Sequence, residues 1–311
     1  MYYRAYLLIL TGFLVGCLSC TPINKTRVPG TKPHILATTG MVADMVKHIV
    51  GDSATVEALM GPGVDPHLYK ASQGDLRKMI DADYLFYNGV HLEGKLSGIF
   101  DKQQRVKPVV PVGDGLPDLI RLNAHTYDPH IWFDVQLWKA ATANATRALI
   151  SLDTAGTAYY QANANRYQLQ LDSLDRWIRR QINTIPPQKR VLITAHDAFS
   201  YFGRRYGVEV KGLQGISTLS EFGLRDVSDL VNFIVGHGIP AVFVETSVSD
   251  KSLKAVMAGV KERGGQVRIG GNLYSDAMGK AGTPDGTYIG MVKHNVRTIV
   301  EALGGTADRT P

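Results

Sequence analysis

The stretch TAGTAYYQANANRYQLQLDSLDRWIRRQIN, from Thr154 to Asn183, contains no proline and no glycine beyond Gly156. Its residues Tyr160, Ala164, Tyr167, Leu171, Leu174, Ile178 and Ile182 recur at spacings of 4, 3, 4, 3, 4 and 4, which puts them on one stripe of a helix. At ~1.5 Å per residue such a helix runs on the order of 45 Å, enough to traverse a domain. Pro186-Pro187 closes it, because proline cannot continue the hydrogen-bond ladder. A helix of this length in mid-chain predicts a stiff spine between two lobes.

On both flanks short apolar runs alternate with amphipathic stretches, the rhythm of βα units and mainly parallel sheets. Upstream, strands are expected at Ile35–Thr38, Val56–Met60, Tyr84–Tyr87 and Val109–Val112. Helices are expected over Met41–Val50, from a Ser72 cap through Asp83, and over Asp134–Leu152. Downstream, strands fall at Val191–Thr194, Val208–Val210, Ala241–Val244 and Val267–Ile269, the last ending in the glycine-rich loop Gly270–Asp276. Helices are expected over Glu221–Gly236, Ser252–Arg263 and Asp285–Leu303. The fold class is therefore α/β: two βα-repeat lobes, residues 33–153 and 186–311, joined by one long spanning helix within 154–185. A chain of 311 residues exceeds what one core usually supports, which agrees with two lobes.

The N-terminus reads as an export signal. Arg4 supplies a sparse positive start, and Leu7-Leu8-Ile9-Leu10 through Phe13-Leu14-Val15 an apolar segment too short to span a bilayer. It ends in Leu14-Val15-Gly16-Cys17, similar to the lipobox of bacterial lipoproteins, so residues 1–20 are expected to be the signal peptide and lipidation region, with Cys17 acylated. Cys20 is the alternative, although Cys17 stands where its upstream leucine belongs. Residues 21–32, rich in Pro, Thr, Gly and basic side chains, read as a flexible tether. The expected product is exported, periplasmic or on the cell surface, and anchored to the membrane by lipid. Both cysteines lie in this segment, so no disulfide is expected in the body.

The net charge of +6 comes from 34 Lys and Arg scattered against 28 Asp and Glu. Dense basic runs and stacking aromatics are missing, which argues against nucleic acid as a partner. The tripeptide Asp-Pro-His, in contrast, occurs twice, at Asp65-Pro66-His67 and Asp128-Pro129-His130. Proline fixes its own φ and pushes the preceding residue toward extended backbone, so each histidine sits on a stiff loop. His196 follows the strand at Val191–Thr194, and Asp276 follows the last strand. In open α/β sheets ligands collect beyond the carboxyl ends of strands, so one ligand can be gripped between the lobes.

Neutral imidazoles suit zinc and neighbouring first-row ions, and a carboxylate widens tolerance toward manganese. Three His and one Asp can saturate a tetrahedral ion, leaving no position for an activated water and favouring carriage over hydrolysis. Plainer readings stand beside these: a hydrogen-bonded loop residue for His67 or His130, a satisfied strand-end histidine beside Asp197 for His196, and a helix cap for Asp276. Glu245, ending the strand at Ala241–Val244, is placed to steady a ligating histidine from behind. His34, His48, His237 and His294 read as structural or solvated; His91 and His125, in loops of the first lobe, read as solvated surface, with peripheral ligation as the alternative.

These motifs together resemble one family across essentially the whole mature chain. GVDPHLYKAS around His67, DPHIWFDVQLW around His130, TAHDAFSYFGRRYGVEVKGLQGIST around His196, IPAVFVETSV around Glu245 and GGNLYSDAMGKAGTPDGTYIGMVKHN around Asp276 are similar to those of the TroA-like zinc/manganese-binding lipoproteins. These are the cluster A-I substrate-binding proteins of ABC transporters. The resemblance implies a metal held at the lobe interface by His67, His130, His196 and Asp276. It further implies Zn2+ or Mn2+ as transported ligand, delivery to a membrane permease with a cytoplasmic ATPase, and action as a monomer.

Zinc-specialised members often carry a long His-rich, acidic loop, whereas here the stretch between Val112 and His130 is short and adds only His125. Manganese-specialised members often have Glu at the third ligand position, where this chain has His196. Two other classes remain as alternatives: a zinc-dependent hydrolase with Glu245 as base, and a surface adhesin with structural metal.

Overall fold

The computed structural model describes residues 31–220 and 222–308; the leader, both cysteines and most of the tether read from the sequence lie outside them. From Lys32 onward the chain forms one compact unit. Its first half contains β1 (His34–Ala37), α1 (Gly40–Val50), β2 (Thr55–Ala58), α2 (Gln73–Asp81), β3 (Tyr84–Tyr87), α3 (Ser97–Gln103), β4 (Val109–Pro111) and α4 (Val135–Leu152). Next comes the long helix α5 (Thr157–Ile182). The second half contains β5 (Val191–His196), α6 (Ser200–Tyr206), β6 (Glu209–Gln214), α7 (Leu224–His237), β7 (Ala241–Glu245), α8 (Lys251–Glu262), β8 (Arg268–Leu273) and α9 (Tyr288–Ala302).

Each half builds one four-stranded sheet, ordered β2-β1-β3-β4 and β6-β5-β7-β8, and every pairing is parallel. The two sheets repeat one plan, with β5 standing where β1 stands. Such an order reverses direction beside its first strand, which opens a crevice at the carboxyl ends. Local chemistry starts the helices as the sequence suggests. Ser72 and Asp75 form a reciprocal capping box on α2, and Asp134 accepts from the Gln136 and Leu137 amides at the head of α4.

Helix α5, 26 residues long, buries the predicted stripe from Tyr160 to Ile182 and adds Trp177 to it. That stripe is the middle of one continuous core, shared by Ile35, Met41 and Trp138 of the first half and by Phe199, Tyr201 and Val296 of the second. Smaller clusters fill the outer faces, around Leu36, Met79 and Phe100 in one lobe and Ile193, Val242 and Val256 in the other. Helix α9 reaches back to the first lobe, where Tyr288 donates its hydroxyl to the Trp132 carbonyl (2.7 Å) and its amide to Asp44 Oδ2 (3.2 Å). Separating the lobes by a wide hinge would expose this shared core at ~25 cal/mol per Å2 of apolar surface.

The structure departs from the sequence reading at several element ends, three of them with a visible local cause. A short turn at Thr154–Gly156 precedes α5, braced by the Tyr160 hydroxyl on Asp153 Oδ2 (2.7 Å). Helix α7 begins at Leu224, because extended Gly223 donates its amide to Asp226 Oδ2 (2.7 Å) and caps the helix there; the expected start, Glu221, lies outside the described residues. Strand β8 runs through Gly270 and Gly271 to Leu273, where a glycine-rich loop was expected. At Gly270 a Cβ would lie 2.7 Å from the Phe243 ring, and Gly271 takes φ 152°, so these glycines serve close packing and a bulge.

The turn after β3 is unusual. Gly89, Val90 and His91 all have positive φ (79°, 53° and 64°), a costly conformation for β-branched valine. Buried Glu93 holds the turn, accepting from Thr38 Oγ1 (2.6 Å) and the amides of Asn88 (2.8 Å) and Gly89 (3.2 Å). Burial lifts its carboxyl to about 7 against the pull of those donors. The folded group therefore binds its proton more tightly than the unfolded one, whose value is 4.5. Its contribution to stability is fully present below that value and is lost as pH rises through about 7, up to roughly 3 kcal/mol in all. Melting temperature is expected to fall across that window, and Glu93→Gln to flatten the fall; identical slopes in thermal melts of the two proteins would contradict this.

Candidate metal centre

All four residues singled out from the sequence sit at the carboxyl ends of strands. His67 lies in the loop from β2 to α2, His130 in the loop from β4 to α4, His196 ends β5, and Asp276 follows β8. The repeated tripeptide has a common local structure. Asp65 Oδ1 accepts the His67 amide (2.8 Å), and Asp128 Oδ1 accepts the His130 amide (2.9 Å). Each is an aspartate bonding its own backbone two residues on, with the proline between them stiffening the turn.

The fold brings the four side chains together, and all four are buried, His130 and His196 completely. One donor atom from each lies within 4.8 Å of every other. His67 Nε2 is 3.2 Å from His130 Nε2 and 3.9 Å from Asp276 Oδ2, while His130 Nε2 is 3.4 Å from Asp276 Oδ1 and His196 Nε2 3.3 Å from Asp276 Oδ2. Donors ~2.0–2.1 Å from a tetrahedral ion stand about 3.3 Å apart, so the spacing fits one ion at the centre. Further, His196 Nε2 and both Asp276 carboxylate oxygens are buried without a hydrogen-bond partner. Such atoms are costly to leave unpaired, and here they converge on one point.

The electrostatics agree with a cation site. Burial pushes the Asp276 carboxyl up, but His196, His130 and His67 together hold it well below the usual carboxylate range. Burial pushes His130 down, yet Asp128 and Asp276 overturn this and raise it to about 9. His196 is likewise raised, against burial, by Asp276 and Glu245. His67 differs, since burial outweighs Asp276 and brings it down to about 4. A divalent cation would replace those protons and neutralise Asp276 directly.

Two of the rings are held from behind. Glu245 Oε2 lies 2.5 Å from His196 Nδ1, and Glu245 Oε1 accepts the His196 amide (2.9 Å). Asp128 Oδ1 lies 2.7 Å from His130 Nδ1. A carboxylate there fixes the tautomer, leaves Nε2 free to ligate and raises its basicity. The sequence reading named Glu245 for this place but passed over Asp128, whose signal was its position inside the Asp-Pro-His motif. Asp128→Asn and Glu245→Gln are each expected to lower metal affinity 10- to 100-fold in calorimetry, with the fold retained; wild-type affinity in both would contradict these roles.

The other histidines lie apart from the cluster. His34 pairs with Glu57 (3.4 Å), His48 stacks on Tyr167 (4.1 Å between centroids), and His237 and His294 bond backbone carbonyls. His91 and His125 border a cavity of about 420 Å3, and His91 also borders the one that His67 lines. Trp132 and Phe133 next to His130, with Phe199, Tyr201 and Phe202, belong to the shared core.

Two parallel α/β lobes packed on one spanning helix, with a buried His3Asp cluster where they meet, define the class of metal-binding periplasmic-type solute receptors. The chain belongs to the family described as zinc-uptake complex component A, periplasmic (ZnuA), whose model matches residues 35–302. It is 48% identical over 273 residues to the manganese-binding lipoprotein MntA of Bacillus subtilis, covering 87% of this chain and 89% of that one. It is 47% identical over 282 residues to the zinc-binding protein TroA of Treponema pallidum, covering 90% and 92%. Among solved structures, periplasmic zinc-binding TroA of T. pallidum superposes with a TM-score of 0.86 at 46% identity, covering 88% of this chain and 99% of that one. The Fe(III)-bound YtgA of Chlamydia trachomatis gives 0.81 at 30% identity, covering 89% and 100%.

Proposed function

We propose that this chain is the extracytoplasmic substrate-binding lipoprotein of an ABC importer, capturing Zn2+ and/or Mn2+ and handing it to a membrane permease driven by a cytoplasmic ATPase. The observation that carries the reading is the convergence of His67, His130, His196 and Asp276, with three of their buried polar atoms unpartnered. In this reading those four residues are the ligands, Asp128 and Glu245 orient two of them, and the ion is cargo. Residues 33–153 and 186–311 act as the two gripping lobes and 154–185 as the spine. Cys17, or Cys20, carries the lipid, and the tether at 21–32 lets a monomer stand off the membrane.

Four protein donors fill a tetrahedral shell, so no position is reserved for a reacting water, and Glu245 is already committed to His196. Both features favour a carrier over a hydrolase. The surface-adhesin alternative finds no separate module among the described residues in its support. Relatives on this scaffold are named for manganese, zinc and iron. Three imidazoles and one carboxylate follow the general affinity order, in which Zn2+ outcompetes Mn2+. Elemental analysis of protein purified without added metal, with competition titrations, tests this. One Zn2+ or Mn2+ per chain, with zinc displacing manganese, is expected; a chain that takes up neither ion overturns the proposal.

A further inference from the structure

Three histidines face the site, but the structure does not hold them equally. His130 and His196 are backed by Asp128 and Glu245 at Nδ1. Among the described residues no carboxylate stands behind His67, whose ring contacts are His130, His196 and Asp276.

The loops differ in the same way. The His130 loop is fixed by the Tyr201 hydroxyl on the Asp128 carbonyl (2.8 Å) and by Asn88 Nδ2 on the Pro129 carbonyl (3.0 Å). The Asp276 loop is fixed by Trp132 Nε1 on the Ser275 carbonyl (3.0 Å) and by the Ser247 and Ser275 hydroxyls (2.9 Å). His196 is part of strand β5. Among the described residues, the His67 loop has one side-chain hydrogen bond to the opposite lobe, from Thr218 Oγ1 to Asp65 Oδ2 (2.7 Å).

His67 also borders the way out. It lines a cavity of about 620 Å3 whose walls include Leu122 and Pro129 from the first lobe and Ile216, Ser217 and Leu219 from the second. None of the other three cluster residues lines that space. Thr218 therefore sits within the segment that forms one wall of the passage, and Gln214 Nε2 shapes that segment by donating to the carbonyls of Thr218 (2.5 Å) and Ser220 (2.7 Å).

We infer that the Thr218–Asp65 hydrogen bond is a latch across the cleft that controls the rate of metal release, with His67 the first ligand to leave. Asp65 holds the His67 amide through Oδ1 and Thr218 through Oδ2, so one carboxylate couples the ligand's position to the opposite lobe. Breaking the bond to Thr218 frees the turn that presents His67. Gly63, with φ 72° and near the Thr246 carbonyl of the second lobe, gives the loop a pivot upstream. The ion is then held by His130, His196 and Asp276 alone and faces the cavity. Thr218 is thus a positioning residue, acting on the metal through Asp65.

This inference rests on the reading of the chain as a metal carrier, and one experiment separates the two. Full-length wild type, Thr218→Val and Thr218→Ser are loaded with Zn2+ and mixed with excess chelator in a stopped-flow instrument. Valine keeps the shape and removes the donor, while serine keeps the donor. Release from Thr218→Val is expected to be roughly tenfold faster than from wild type, the size of effect for a hydrogen bond to a charged acceptor. Thr218→Ser is expected to release near the wild-type rate, and all three metal-free proteins to melt alike. If wild type itself holds no Zn2+, the carrier reading fails. If wild type holds Zn2+ but Thr218→Val releases it at the same rate, or Thr218→Ser releases as fast as Thr218→Val, the latch is wrong.

Discussion

Asp276→Ala is expected to weaken Zn2+ binding by about a thousandfold while leaving the far-ultraviolet circular dichroism unchanged. Four-ligand zinc sites bind with roughly 10–16 kcal/mol, so each ligand supplies about 3–4 kcal/mol, or two to three decades of affinity. Asp276 should lie at the upper end, because it is the cluster's one carboxylate and lies within 4 Å of three imidazoles. His130→Ala and His196→Ala are expected to lose somewhat less, near a hundredfold or more, and His67→Ala similarly. The contrast is His125→Ala, at a cavity that none of the four residues lines, and His91→Ala, beside His67 but outside the cluster; both should bind like wild type. Competition titration against a chromophoric chelator reads all six. Full-strength binding by two or more of the four cluster variants would refute the ligand set.

Removing the metal should lower the melting temperature by about 10 °C. A ligand present at a thousand times its dissociation constant stabilises the native state by about 4 kcal/mol, and a chain of this size shifts roughly 2–4 °C per kcal/mol. The form of the transition is as informative as its position. Because Tyr160, Leu171 and Ile178 of the spine share one core with Ile35 and Trp138 on one side and Phe199 and Val296 on the other, both lobes should melt together. Calorimetry of the chelated and loaded protein checks both points. Two resolved transitions would show the lobes folding independently, and an unchanged midpoint would deny that the ion bridges them.

The spine and both sheets were legible because they rest on periodicity. A stripe at helical spacing from Tyr160 to Ile182 leaves little choice of structure, and runs such as VLITAH, wholly buried in β5, read as central strands. What escaped has physical reasons. Short helices α3 and α6 span only Ser97–Gln103 and Ser200–Tyr206, too few residues for a pattern to emerge. Gly270 and Gly271 looked like a loop because composition does not reveal that Phe243 and Ala302 crowd the first, and Thr298 the second, within a sheet.

At the site, the histidines and Asp276 stood out by residue type and by their place after strands. Asp128 was hidden in plain view: its work depends on a side-chain orientation that only the folded turn displays. Thr218 carried no signal at all, since its partner Asp65 lies 153 positions away in sequence.

The most direct test of the central claim, that one metal ion is held by these four side chains where the lobes meet, is X-ray absorption spectroscopy of the Zn2+-loaded protein. The expected result is one zinc per chain with a four-coordinate shell of nitrogen and oxygen near 2.0–2.1 Å and the scattering signature of three imidazoles. A shell with fewer than three imidazoles, or with sulfur at ~2.3 Å, would contradict it.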